Sequence, residues 1–349
     1  MKLGIIALDR LPKMIAEIGR VRRHQVQGVM RARMNIRNRR ITQELRSAGR
    51  NFKLRIREAA GTFSPLKNNP FRQRFLATGL WLVLGHALLA ADPVMPGDAL
   101  FYLPTYDEPS TPAKWGYRYQ DLHFKSSDGT NLHAWLIDQQ GKQAKGLVVF
   151  SHGAAGSMGH HLGFATWFAK AGYKVLMYDY RGFGQSEGVV DRQGMVNDAK
   201  AAFAYVRKQP SLAKIPLISY GHSMGGAKSV AAVAGENVPG LRAVIVDSTF
   251  ASYRDMARHM VGNWGESLVS DQLSPAQLIE RISPTPLLII HGRNDEIVPF
   301  SQGIKLYEAA KQPKTMFDVK SGKHGDSLSR DQGAYRKRLL QWLDSVLDR

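Results

Sequence analysis

The sequence predicts an α/β domain with a mostly parallel central sheet, helices on both faces and a short helical cap. Two observations carry this. From residue 119 onward, short runs of Val, Ile and Leu alternate with longer stretches at helical spacing. That is the pattern of strands buried on both faces by their crossover helices. One run, Ile215 to Ser219, leads through a glycine-flanked serine into a small-residue helical stretch, Ala227 to Ala234. A serine at such a strand-to-helix turn is pushed out of the sheet into a cleft.

The chain begins with a different object. Of the 349 residues, the first 74 hold 19 Lys and Arg against 4 Asp and Glu, so +15 of the formal +19 lies there. Leu11, Ile15, Ile18 and Val21 recur at helical spacing, with Arg20, Arg22, Arg23, Arg31 and Arg33 after them. A basic amphipathic helix suits an anionic membrane surface. A solvated tail is the next reading. Nucleic acid is not expected, because Phe52, Phe63 and Phe71 are the segment's few aromatics and base stacking is poorly served.

Phe75 to Ala91 follows, seventeen residues without a formal charge. That length sits at the lower limit for a transmembrane helix, roughly 17–25 residues, and a 74-residue basic lead is too long for a signal peptide. The expectation is therefore a single-pass anchor over 75–91. By positive-inside logic the basic N-terminus is cytoplasmic and the folded domain lies on the opposite side. A secreted or periplasmic protein after signal cleavage, and a buried soluble helix, are the alternatives. Residues 92–114, with Pro93, Pro96, Pro104, Pro109 and Pro112, read as a linker. The α/β domain is expected over 115–349. The absence of cysteine excludes a disulfide framework and says nothing further about compartment.

Within that domain the elements follow in order. Tyr119 to Phe124 and Leu132 to Ile137 flank Ser127-Asp128-Gly129-Thr130 and read as an antiparallel hairpin. Leu147 to Phe150 is a strand, Leu162 to Ala171 a helix, Lys174 to Tyr178 a strand and Met195 to Gln209 a helix. The serine turn comes next. Ala243 to Val246, Pro286 to Ile290 and Phe317 to Val319 are further strand runs. The stretch over about 251–281 is too long for an ordinary connection. It reads as a helical cap carrying Tyr253, Met256, His259, Met260, Trp264 and Leu268. These side chains either face a substrate or pack the cap onto the body, and helical spacing of Met and Trp more often means packing.

The chemistry-bearing residues lie at the predicted carboxyl ends of strands, where open α/β sheets bind ligands. Gly221-His222-Ser223-Met224-Gly225 supplies the nucleophile, Ser223. A serine hydroxyl is weak at neutral pH and needs a base and a group to orient that base. His324, in Ser321-Gly322-Lys323-His324-Gly325, is the candidate base. Asp295, in His291-Gly292-Arg293-Asn294-Asp295, is the candidate orienter. Asp247, at the end of its own strand run, is the rival orienter. His152, His222 and His291 sit in glycine turns at strand ends and read as structural. Ser151-His152-Gly153-Ala154 is a glycine turn after a strand. It points to the Ala154 and Met224 backbone N–H groups as oxyanion donors.

These motifs resemble the α/β-hydrolase superfamily. The resemblance spans about 115–345, a single-domain length. It is carried by Ser151-His152-Gly153, by Asp179-Tyr180-Arg181-Gly182-Phe183-Gly184-Gln185-Ser186, by the serine turn, by His291 to Asp295 and by His324. The Asp-Tyr-Arg-Gly-Phe-Gly-x-Ser string and the short cap are similar to the serine-aminopeptidase-like, membrane-anchored branch. That branch includes esterases, lysophospholipases and depalmitoylases. Many relatives carry Asn where this chain has Ala154, a change that leaves a backbone donor intact.

The expected activity is a serine hydrolase acting on a carboxylic ester or thioester through an acyl-enzyme. The expected partners are a small or lipid-like acyl ester and a membrane. A serine peptidase is the alternative enzyme, and a non-catalytic membrane-anchored binding module the alternative of another class. No cofactor is expected: Gly182-Phe183-Gly184 lacks a third glycine and the strand-turn-helix position of a dinucleotide site. No metal is expected either, since adjacent His160 and His161 have no carboxylate or cysteine cluster beside them in the sequence.

Overall fold

The structure is a computed structural model that describes residues 100–141 and 143–347, all within the second of the two units into which the chain divides, Asp92–Arg349. The basic extension over 1–74 and the apolar segment over 75–91 lie outside the described residues. Among the described residues no helix is long and apolar enough to cross a membrane.

Among the described residues ten strands form in chain order: β1 (Leu103–Pro104), β2 (Tyr119–Lys125), β3 (Asn131–Ile137), β4 (Leu147–Ser151), β5 (Ala155–Gly156), β6 (Lys174–Tyr178), β7 (Leu217–His222), β8 (Leu241–Asp247), β9 (Leu287–Gly292) and β10 (Lys314–Val319). Eight of them make one sheet in the order β10-β9-β8-β7-β4-β6-β3-β2. Every pair from β10 to β6 is parallel. β3 runs antiparallel to β6, and β2 antiparallel to β3. The sheet is therefore mostly parallel, with the expected hairpin at one edge.

The helices are α1 (Leu162–Lys170), α2 (Arg192–Lys208), α3 (Met224–Val233), α4 (Tyr253–Val261), α5 (Asn263–Ser267), α6 (Pro275–Leu278), α7 (Phe300–Ala309) and α8 (Arg330–Leu347). α2 starts three residues earlier than its apolar pattern begins, because the Asp191 side chain accepts the Gly194 N–H at 2.6 Å and caps it.

Strand alternation divides the apolar residues between two cores. Leu147 and Val149, Leu176 and Tyr178, Val244 and Val246, and Leu287 and Ile289 face one way, against Met195, Ala199, Val230 and Leu306. Val148 and Phe150, Val175 and Met177, Ala243 and Ile245, and Leu288 and Ile290 face the other, against Leu162, Phe168, Leu339 and Leu343. With side chains packed on both faces, these strands show the near-continuous apolar runs read in the sequence. Truncating a fully buried member such as Phe150 to alanine costs about 3–5 kcal/mol.

One segment differs from expectation. Residues 100–104 belong to the body rather than to a linker over 92–114. Phe101 is buried, its ring centroid 5.0 Å from that of Tyr253. Lys228 Nζ donates to Tyr102 Oη at 3.1 Å. β1 pairs in parallel with β5, and Leu103 N–H donates to the Ala154 carbonyl at 2.8 Å. Prolines marked the segment as irregular, and irregular backbone can still bury its aromatic side chains.

Between β8 and β9 lie α4, α5 and α6 with a 3₁₀ turn, Ile279–Ile282. Tyr253 and Met256 pack into the core, whereas Met260 is 42% and Trp264 64% exposed. The inner face of this cap is thus packing, and its outer end carries the exposed apolar groups.

Candidate active site

The backbone at Ser223 is strained, with φ 55° and ψ −123° between β7 and α3. A non-glycine residue at positive φ costs of order 1–3 kcal/mol and persists where its surroundings over-determine it. Here the surroundings are the glycines. A Cβ on Gly221 would sit 2.5 Å from Gly225 O, and one on Gly225 2.0 Å from Ser151 O. A Cβ on Gly226 would sit 1.9 Å from Thr249 Oγ1. The turn closes only because these positions lack side chains, and the Ser223 N–H is held on the Asp247 carbonyl at 2.8 Å. Ser223 itself is half-buried.

Asp295 follows β9, and His324 follows β10. His324 Nδ1 contacts both Asp295 oxygens, at 2.9 Å and 3.1 Å. The Asp295 carboxylate also accepts the Ile297 and Val298 N–H groups at 2.9 Å and 2.8 Å. Burial pushes this carboxyl up, but the His324 contact and the two amides outweigh burial, so it ends below the ordinary carboxylate value. Asp295 is therefore an anion whose side chain is shielded from water, and the His324 side chain is 20% exposed beside it. This geometry fixes which His324 nitrogen faces the carboxylate and leaves Nε2 for another partner.

The His324 ring lies 5.1 Å, centroid to centroid, from that of His222, the residue before Ser223. Among the described residues no hydrogen bond joins Ser223 Oγ to His324. In a substrate-free site that contact is often long.

The rival orienter, Asp247, is committed elsewhere. Its Oδ2 accepts from Tyr220 Oη at 2.9 Å, and its Oδ1 from Ser248 Oγ at 3.2 Å. His222 Nδ1 lies 3.7 Å away. The other strand-end histidines are held in place too. His152 contacts the Gly153 carbonyl through Nδ1 at 2.8 Å, and burial pushes its ring down to about 4. His291 contacts the Val298 carbonyl at 2.9 Å, and burial lowers it despite that contact.

The loop after β4 reaches the serine. A Cβ on Gly153 would stand 3.8 Å from Ser223 Cβ and 3.2 Å from His161 Nε2. Ala154 comes next, its carbonyl tied to β1. Met224 opens α3, in the first turn, where N–H groups have no intrahelical acceptor. The structure therefore brings Gly153 close to Ser223 at the start of α3, with Ala154 next in the chain and with His324 and Asp295 adjoining through His222.

Comparison with known proteins bears on the fold and the family. A family model described as serine aminopeptidase, S33, matches residues 142–275. Protein YfhR of Escherichia coli K12 is 34% identical over 252 residues, covering 71% of this chain and 87% of that one. The α/β-hydrolase domain-containing protein WAV2 of Arabidopsis thaliana is 33% identical over 295 residues, covering 77% and 93%. Among solved structures, the Pyrococcus furiosus esterase Pf2001 superposes with a TM-score of 0.57 at 20% identity, over 71% of this chain and 98% of that one.

Proposed function

The chain belongs to the α/β-hydrolase superfamily, and from that premise we propose that it is a serine hydrolase of carboxylic esters or thioesters. The observation that carries the reading is the buried, N–H-stabilised Asp295 carboxylate bonded to His324 beside the strained serine turn. Ser223 Oγ attacks the acyl carbonyl while His324 Nε2 takes its proton. The Ala154 and Met224 N–H groups hold the oxyanion. Asp295 stabilises the imidazolium without being protonated. His324 then protonates the departing alcohol or thiol, and in the second half activates water against the acyl-enzyme.

The test is turnover of p-nitrophenyl esters of two, eight and sixteen carbons by wild type and Ser223→Ala. Hydrolysis by wild type alone supports the reading, and the chain-length profile ranks small against lipid-like acyl groups. An aminoacyl p-nitroanilide in the same assay separates esterase from peptidase. The proposal also places residues 75–91 in a bilayer, on the strength of a charge-free run beside a basic flank. Carbonate extraction that released the intact protein would refute that placement.

A further inference from the structure

Glu108, His133 and Asp179 come from three separate parts of the chain: the segment between β1 and β2, strand β3, and the residue directly after β6. One ligand atom from each lies within 4.8 Å of the other two. Their other atoms are engaged. Asp179 Oδ1 accepts the Met158 N–H at 2.7 Å. Glu108 Oε2 accepts from Ser157 Oγ at 3.3 Å. His133 Nε2 meets Asp121 Oδ1 at 3.0 Å. What remains is Glu108 Oε1, Asp179 Oδ2 and His133 Nδ1; all three atoms are buried, and outside the trio none has a hydrogen-bond partner.

Both His133 and Asp179 have side chains out of reach of solvent. Among the described residues no lysine or arginine bonds either carboxylate. Adjacent buried carboxyls are relieved by a cationic side chain, by a shared proton or by a metal that displaces that proton. Burial and then the neighbouring Asp179 push Glu108 up to about 8, the proton-sharing state that a bound cation would replace. Gly184, at φ 48°, lets the backbone pass close against both carboxylates. A Cβ there would lie 2.0 Å from Asp179 Oδ2 and 2.9 Å from Glu108 Oε1.

We propose that Glu108 Oε1, Asp179 Oδ2 and His133 Nδ1 form a site for a divalent cation of the zinc class. Two carboxylate oxygens and one imidazole nitrogen are a zinc-type donor set, completed by water. The Asp121 contact at Nε2 is the outer partner that a metal-binding histidine characteristically has, because it leaves the lone pair on Nδ1. The sequence held no sign of the site, and the expectation of no metal rested on His160 and His161, which are not its ligands.

The site has a structural consequence that does not depend on the catalytic reading. Asp179 Oδ1 also lies 3.3 Å from His152 Nε2. A bound cation would tie the Glu108 segment to β3, to the end of β6 and to the loop carrying Gly153 and Ala154.

The experiment uses the full chain, stripped with EDTA and titrated calorimetrically with ZnCl₂, with the thermal unfolding midpoint read in parallel. Wild type, Glu108→Gln and Asp121→Asn are compared. The expected result is one zinc per wild-type chain and a higher midpoint with zinc than with EDTA. Glu108→Gln loses the one-to-one binding. Asp121→Asn weakens it on the order of 10–100-fold. If Glu108→Gln does not fold, Asp121→Asn decides, because the Asp121 side chain is 53% exposed at the sheet edge. No stoichiometric binding by wild type overturns the proposal. So does equal affinity in wild type and Asp121→Asn, which would place the ion on surface histidines.

Discussion

Asp247 and Asp295 sit at the carboxyl ends of neighbouring strands, β8 and β9, and both are buried. From residue type and position either could orient His324. Their partners separate them. Asp247 spends its oxygens inward, on Tyr220 and Ser248. Asp295 takes two amide N–H groups from its own loop and turns the rest of its carboxylate toward His324. An aspartate is suited to orient a base when short-range backbone donors hold it as an anion while one side stays free for the imidazole. The loop Gly292 to Val298 supplies that condition, and the end of β8 does not.

The largest expected effect tests the site that both aspartates could serve. Ser223→Ala should lower kcat on the order of 10⁶-fold while far-UV circular dichroism is unchanged. Residual turnover near wild type would remove the serine from the chemistry. Next comes the comparison itself. Asp295→Asn should lower kcat by about 10⁴-fold, because the amide favours the wrong imidazole tautomer.

Asp247→Ala should do the reverse in kind. It leaves the buried Tyr220 hydroxyl without its acceptor, costing about 1–3 kcal/mol of stability by denaturant unfolding. Its kcat should fall less than about tenfold, well short of the loss at Asp295. An exchange of these two kinetic outcomes would assign Asp247 as the orienter.

The smallest effect is a pH slope. His161 is pushed down to about 3, by burial first and then by the neighbouring His152 and His222. Its ring stays neutral when folded but takes a proton near 6.5 when unfolded. Its contribution to stability is therefore complete above about pH 6.5 and is lost as pH falls from there toward 3. Unfolding midpoints measured from pH 7 to 4 should decline, and His161→Gln should flatten that decline.

The sequence carried most of the sheet, because each central strand is buried on both faces and shows as an uninterrupted apolar run. It carried the strained turn at Ser223 for a related reason: glycines mark where backbone must approach backbone, as at Gly221, Gly225 and Gly226. It could not choose between Asp247 and Asp295 on geometry, since that choice rests on which N–H groups and hydroxyls converge on each. It hid the core role of Phe101 and Tyr102 behind a proline-rich stretch. It also hid the Glu108, His133 and Asp179 cluster, whose members share no spacing and meet only through the β3–β6 pairing and the segment that follows β1.

The most direct test of the central claim is reaction of the folded wild-type chain with a fluorophosphonate, followed by peptide mass spectrometry. The account predicts one adduct, on Ser223, absent in Ser223→Ala and strongly slowed in Asp295→Asn. A folded chain that stays unmodified, or an adduct on another serine, would contradict it.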